Sequence, residues 1–223
     1  MTDALKNRNR FELIIFDLDG TLVDSAEDLA EALNYATLPL GHEPVSAATI
    51  KTLVGEGVSK LIDKVLYKNE LEMKNEVAAR FTDYYLHHIT NHTRAYPHVP
   101  EILARMKDFK KAVISNKKEE LSKKVLIDLN LIKYFDLVMG SDSAAERKPS
   151  PLPLITAAER LGVTPERCFM VGDSQFDMVA GKRAGMKTCG VTYGFRGKKI
   201  LAESGADYLV DSFDEIPDLL VKR

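Results

Sequence analysis

No tryptophan occurs among the 223 residues, and cysteine is limited to Cys168 and Cys189. Both cysteines lie in apolar stretches without a C-x-x-C pair, which excludes a disulfide framework or a zinc ribbon and points to a reducing compartment. Long apolar runs are missing too. No stretch approaches the roughly 18 residues that a membrane span requires, and Met1 to Arg10 lacks the apolar centre of a secretory signal. The expected location is therefore cytoplasmic, away from membranes. Charge of one sign is also lacking: 31 Lys and Arg face 33 Asp and Glu, for a formal charge of -2. That balance offers no global attraction for nucleic acid or an anionic surface, so a charged partner must be recognised locally. Repeats and low-complexity tracts are absent, and nothing in the pattern fixes an oligomeric state. The length suffices for a full core, as one large domain or a domain carrying an insert.

What is present is a regular alternation. Short apolar runs at Leu13 to Phe16, Lys111 to Ser115, Leu137 to Gly140, Cys168 to Gly172, Thr188 to Val191 and Tyr208 to Val210 read as strands buried on both faces. Amphipathic segments at Pro100 to Lys107, Glu119 to Leu129, Pro153 to Leu161, Phe176 to Ala184 and Phe213 to Val221 supply the covering helices. The fold class is α/β, with a Rossmann-like parallel sheet core. From Ser25 to His92 the texture is helical throughout. Ser25 and Asp28 resemble a capping box, and Leu29, Ala32, Leu33 and Ala36 mark one face of the first helix. Breaks fall at Gly41 to Pro44 and at Gly55-Glu56-Gly57. This predicts a helical cap at residues 24–95 inserted into a discontinuous core of residues 1–23 and 96–223.

In an open parallel sheet, ligands collect outside the carboxyl ends of the strands. Asp17 and Asp19 follow the first strand, Ser115 and Asn116 the second, Lys148 the third, and Asp173, Ser174 and Asp177 the fourth. Carboxylates gathered in a partly dry cleft repel one another unless a cation neutralises them. An all-oxygen set, with no His or Cys at these strand ends, favours Mg2+, an ion that commonly shares its shell with a substrate phosphate. The expected partner is thus a small phosphorylated metabolite. Ser115, Lys148 and the amides of the Gly20 turn are the donors for phosphoryl oxygens. Of the paired acids, Asp17 at the strand end suits a nucleophile and Asp19 suits proton transfer to and from the leaving alcohol and water.

The motifs Asp17-Leu18-Asp19-Gly20-Thr21, Ile114-Ser115-Asn116, Lys148-Pro149 and Gly172-Asp173-Ser174-x-x-Asp177 resemble the four motifs of the haloacid dehalogenase superfamily. Within it, Leu22-Val23-Asp24-Ser25, Val54-Gly55-Glu56-Gly57, Ala184-Gly185-Met186-Lys187-Thr188 and Tyr193-Gly194 are similar to the phosphoglycolate phosphatase-like branch. The resemblance implies Asp17 as nucleophile and metal ligand, Asp19 as acid/base and a metal ligand through its backbone carbonyl, and Asp173 as the third ligand. It implies that Ser115 and Lys148 hold the transferring phosphoryl group, with Thr21, Ser174 and Asp177 in support and Asp177 ordering Lys148. The second acid, Asp19, separates phosphatases and phosphomutases from dehalogenases proper. Gln175-Phe176 departs from the more polar pair of many relatives.

Other features have plainer readings beside the functional ones. Ser115-Asn116 also suits a cap for the helix that starts near Glu119, and Lys117-Lys118 reads as a solvated helix start. His87, His88 and His92 read as a solvated helix end rather than a metal site. Gly55-Glu56-Gly57 is either an ordinary turn or the break facing the cleft, with Lys60 one helical turn on to meet a substrate carboxylate. The leading expectation is a Mg2+-dependent phosphatase acting on 2-phosphoglycolate through an aspartyl-phosphate. Alternatives are β-phosphoglucomutase-like transfer, pyrophosphate or nucleotide hydrolysis and, outside enzymes, a phospho-acceptor signalling domain.

Overall fold

The computed structural model describes residues 10–221; the N-terminal reading and the expected domain start at residue 1 fall outside them. The chain enters on β1 (Leu13–Phe16), whose four residues are all buried. A short strand β2 (Val23–Asp24) then leads into four helices: α1 (Ala26–Thr37), α2 (Ala47–Leu53), α3 (Val58–Val65) and α4 (Lys74–His88). The strand β3 (Arg94–Ala95) returns antiparallel to β2, with Val23 opposite Ala95. This two-stranded ribbon is the stalk of the insert. It is too short to leave a period in the sequence.

Beyond the stalk the alternation runs as expected: α5 (Val99–Arg105), β4 (Lys110–Ile114), α6 (Glu119–Asp128), β5 (Leu137–Met139), α7 (Leu152–Arg160), β6 (Cys168–Gly172), α8 (Gln175–Arg183) and β7 (Lys187–Val191). A helix not predicted from periodicity, α9 (Lys198–Glu203), precedes β8 (Tyr208–Val210) and the final α10 (Ile216–Leu220). The six long strands form one parallel sheet in the order β5-β4-β1-β6-β7-β8. Central β1 is paired on both sides, Phe16 lying opposite Val113 of β4 and Val171 of β6. Equal register at these three strands puts their carboxyl ends, and the residues just beyond, at one edge.

Alternation along β1 divides the core. Leu13 and Ile15 pack with Leu154 and Ala157 of α7, while Ile14 and Phe16 pack with Val99, Val125 and Ile216 of α5, α6 and α10. Such two-sided burial is what a parallel sheet requires. In the insert, Leu29, Ala32, Leu33 and Ala36 of α1 are buried, with Phe81 and Tyr85 of α4 in the same apolar cluster. No helix among the described residues is long and apolar enough to cross a membrane.

The capping-box reading of Ser25 and Asp28 is corrected. Ser25 makes no side-chain cap to α1; its hydroxyl donates to Asp19 Oδ1 at 2.6 Å. Asp28 reaches across the stalk, accepting from the amides of His92 (2.9 Å) and Thr93 (2.8 Å) and from the Thr93 hydroxyl (2.5 Å). A buried carboxylate thereby satisfies two amides that the short ribbon leaves over. Asp28→Ala is expected to cost about 2–4 kcal/mol in urea unfolding, because it orphans those donors. Asp28→Asn, which keeps one acceptor oxygen, should cost less. A loss within experimental error for the alanine variant would show that the stalk is not held this way.

Candidate active site

Because β1, β4 and β6 end level, Asp17, Ser115 and Asp173 emerge side by side. The amide of Asp17 still belongs to the ladder, donating to Val171 O at 2.9 Å, and that of Ser115 donates to Met139 O at 3.1 Å. The first residues past each strand are therefore held by the sheet itself. Gly20 makes the turn after Asp17: its φ is +85°, and a Cβ there would sit 2.2 Å from Asp173 Oδ2. Only glycine lets this loop lie against the β6 carboxylate.

Asp17, Asp173 and Asp177 each place a carboxylate oxygen within 4.8 Å of the others. Lys148, fully withdrawn from solvent, donates to Asp177 Oδ1 at 2.7 Å and to Ile114 O at 2.6 Å. Its Nζ also lies 2.9 Å from Asp17 Oδ1, an ion-pair approach off the direction of a hydrogen bond. Burial pushes the Lys148 ammonium toward neutrality, but the Asp17 and Asp177 carboxylates outweigh it and keep the charge. Asp177 Oδ2 accepts from the amide and hydroxyl of Ser174 at 3.1 and 2.6 Å. Asp173 Oδ2 accepts from the Phe195 amide at 2.6 Å.

Three clustered carboxylates against one ammonium, which pairs with Asp17 and Asp177, leave the equivalent of two negative charges in a buried space. Burial, then the neighbouring Asp177 and Asp19, lifts the Asp17 carboxyl to about 7, and burial with the charge of Asp17 lifts Asp173 well above the carboxylate range. An oxygen-only set with this charge deficit suits a small, hard divalent cation such as Mg2+. Asp17 and Asp173 are the carboxylates with oxygens to give, since both oxygens of Asp177 are bonded within the protein. The Asp19 carboxylate is held through one oxygen: Oδ1 accepts from Ser25 and, at 2.7 Å, from Lys117 Nζ.

Ser115 and Ser174 line the same pocket as these acids. Thr21 does not line it; it is buried behind, its carbonyl accepting from the Tyr193 hydroxyl at 2.9 Å. The Asn116 amide joins the insert to the β5–α7 loop, donating to Gly55 O at 2.8 Å and to Lys148 O at 2.9 Å. The insert closes the pocket through Gly55 and Gly57, with Val54, Val58 and Leu61 beside them. Two expectations for the insert differ from what is found. Lys60 is exposed and lies 3.9 Å from Asp63, and Glu56 pairs with Lys64 at 2.7 Å, so neither side chain lines the pocket. The α3 turn rotates them outward and gives the cleft its apolar face.

Three pocket residues escaped the sequence reading. Lys117, expected in solvent, is buried and bonds both Asp19 and the Tyr85 hydroxyl of α4, each at 2.7 Å. Arg196 donates to the carbonyls of Lys51, Thr52 and Val54 at the end of α2. Phe176 packs under Gly55, giving the departure from relatives at Gln175-Phe176 a place in the pocket wall. His87, His88 and His92 do not converge: His87 faces Asp83 O, His88 stacks on Tyr84, and His92 lies 3.3 Å from Glu31.

Residues 14–191 match the haloacid dehalogenase-like hydrolase family, and the chain belongs to it. A phosphoglycolate phosphatase of Aquifex aeolicus is 44% identical over 185 residues, 82% of this chain and 85% of that protein. One from Neisseria meningitidis is 39% identical over 215 residues, 92% of each chain. A crystal structure described as a predicted phosphoglycolate phosphatase from Haemophilus somnus superposes with a TM-score of 0.86 at 31% identity, covering 94% of this chain and 98% of that one. Within the family the chain is thus of the phosphoglycolate phosphatase-like branch.

The charge balance of the pocket has a measurable consequence. Without a divalent cation, the raised Asp17 contributes stability that is full below its unfolded value of 3.8 and lost as pH climbs through about 7. The rise in Tm on adding MgCl2 is therefore expected to be larger at about pH 8 than at about pH 5. Asp17→Asn and Asp173→Asn should each shrink it. An equal rise at both pH values in the unmodified protein would contradict the assignment.

Proposed function

We propose that the protein is a Mg2+-dependent phosphatase that hydrolyses a small phosphate monoester, 2-phosphoglycolate first among them, through an aspartyl-phosphate on Asp17. The observation that carries this reading is the state of Asp17. It stands at the end of the central strand, its Oδ1 buried and without a hydrogen bond, beside an ammonium and two further carboxylates. The sheet orients this carboxylate, with Lys148 paired to Oδ1 and no protein donor on Oδ2 among the described residues.

In this reading Ser115 and Lys148 hold the phosphoryl oxygens, and Mg2+, when bound by Asp17, Asp173 and the Asp19 carbonyl, offsets charge on the phosphate. Asp17 attacks phosphorus, and the bond to the alcohol oxygen breaks as Asp19 delivers a proton to that oxygen. Asp19, now a carboxylate, takes a proton from the water that attacks the phosphoryl-Asp17, which returns Asp17 and releases phosphate. Asp177 keeps Lys148 aimed. The inserted helices serve as a cap: Asn116 on Gly55 and Arg196 on the end of α2 hold them against the core, and their apolar residues reduce the water around the phosphate. The names of the relatives support 2-phosphoglycolate, and the Arg196 guanidinium in the pocket wall offers a cation for a carboxylate.

Phosphate release should be measured over a panel of small esters with and without Mg2+. The expected outcome is Mg2+-dependent turnover with 2-phosphoglycolate the best substrate by kcat/KM. Asp17→Asn should lower kcat by at least about a thousandfold with the fold intact, and Asp19→Asn by about 10²–10⁴. Turnover of Asp17→Asn at the normal rate would overturn the mechanism, and isomerisation of a sugar phosphate without phosphate release would favour the mutase alternative.

A further inference from the structure

Lys117 is withdrawn from solvent, its side chain only 6% exposed, although it follows directly on the Ser115-Asn116 pair. Its ammonium makes two bonds that join distant parts of the chain, one to Asp19 Oδ1 and one to the Tyr85 hydroxyl, each 2.7 Å. Tyr85 belongs to α4 of the insert and is itself fully buried, its hydroxyl paired with no group other than Lys117 among the described residues. The ammonium also lies over the Tyr85 ring, 4.8 Å from its centroid. Asp19 Oδ1 is further fixed by the Ser25 hydroxyl, whereas Oδ2 accepts from no protein donor among the described residues. One carboxylate oxygen is clamped and the other is left open.

We infer that Lys117 and Tyr85 form a positioning pair that aims the Asp19 carboxyl at the leaving-group oxygen, so that proton delivery requires the inserted helices to be seated on the core. The inference rests on the phosphatase reading above, in which Asp19 is the acid. Clamping Oδ1 with two donors leaves Oδ2 as the oxygen that carries the proton to the departing alcohol. When the phosphorus-to-alcohol bond breaks, its electron pair stays with the alcohol oxygen, which takes the Oδ2 proton, and the resulting carboxylate is held by Lys117 and Ser25. Lifting α4 away removes the oxygen that anchors Lys117 and so loosens one of the two donors on Asp19, leaving Ser25 alone to hold it. Lys117 acts through Asp19; it is a positioning residue. The ion pair sits where water is scarce, so misaiming its carboxylate is costly in rate.

The test uses leaving groups that differ in their need for a proton. An alkyl ester such as 2-phosphoglycolate expels a poor alkoxide, whereas acetyl phosphate expels acetate, which needs no acid. The readout is kcat/KM, which covers the steps through formation of the phosphoryl-Asp17 and leaves out its hydrolysis, so that the comparison between leaving groups isolates the acid. Lys117→Met is expected to lower kcat/KM about 100-fold for 2-phosphoglycolate and ethyl phosphate, and less than about 5-fold for acetyl phosphate. Tyr85→Phe, which keeps the buried ring, should lower the alkyl esters about 10-fold with acetyl phosphate nearly unchanged. Adding Tyr85→Phe to Lys117→Met should cost little more, because the hydroxyl acts through the ammonium.

Equal losses across leaving groups would overturn the inference in favour of a purely structural role. A loss confined to 2-phosphoglycolate, with ethyl phosphate unaffected, would overturn it in favour of direct binding of the substrate carboxylate. Should Lys117→Met fail to fold, the Tyr85→Phe comparison decides between the same outcomes. Failure of the phosphatase reading itself shows separately, as absence of Mg2+-dependent phosphate release from any ester by the unmodified protein.

Discussion

The structure depends on concentrating negative charge where a parallel sheet ends. Asp17, Asp173 and Asp177 converge, with the Lys148 ammonium on Asp17 and Asp177, and the arrangement is tolerable because each carboxylate is either bonded or left for a cation. The sheet supplies the rigidity. Asp17 and Ser115 are still tied by their amides to neighbouring strands, and the Asp177 carboxylate closes a capping box with Ser174 at the start of α8. Two close backbone approaches complete the packing: Gly20 and Gly194 both lie against Asp173, at distances that no Cβ could occupy.

Around this fixed centre the insert is attached by a different kind of contact. Its stalk is a two-residue ribbon secured by Asp28, and polar bonds across the pocket tie it to the core beside the apolar cluster the two share. Asn116 holds Gly55, Arg196 holds the end of α2, and Lys117 holds Tyr85. The same bonds touch groups assigned to catalysis, since Asn116 also bonds the carbonyl of Lys148 and Lys117 bonds Asp19. The inserted helices and the pocket acids are thereby linked through single side chains.

Much of this was legible in the sequence because buried parallel strands and their turns leave local signals. All six sheet strands coincide with apolar runs, and Asp17, Ser115 and Asp173 stand where those runs stop, with Lys148 in the loop that follows β5. What escaped was set by contacts between segments far apart in the chain. Lys117 beside Lys118 has the composition of a solvated helix start, and only the arrival of Tyr85 and Asp19 buries it. Ser25 and Asp28 have the spacing of a capping box, yet long-range acceptors and donors outcompete the local bond. Lys60 failed for a geometric reason: the turn at Gly57 sets the rotation of α3, and its pocket face is apolar.

The central claim is that Asp17 is the atom-transferring group of this pocket. Its most direct test is acid quenching of the protein during turnover of 2-phosphoglycolate with Mg2+, followed by mass spectrometry of the peptides under conditions that preserve acyl phosphates. The account expects one phosphoryl group on the peptide carrying Asp17-Leu18-Asp19, located at Asp17 and lost on raising the pH. A phosphoryl group found instead on another residue during turnover would contradict it.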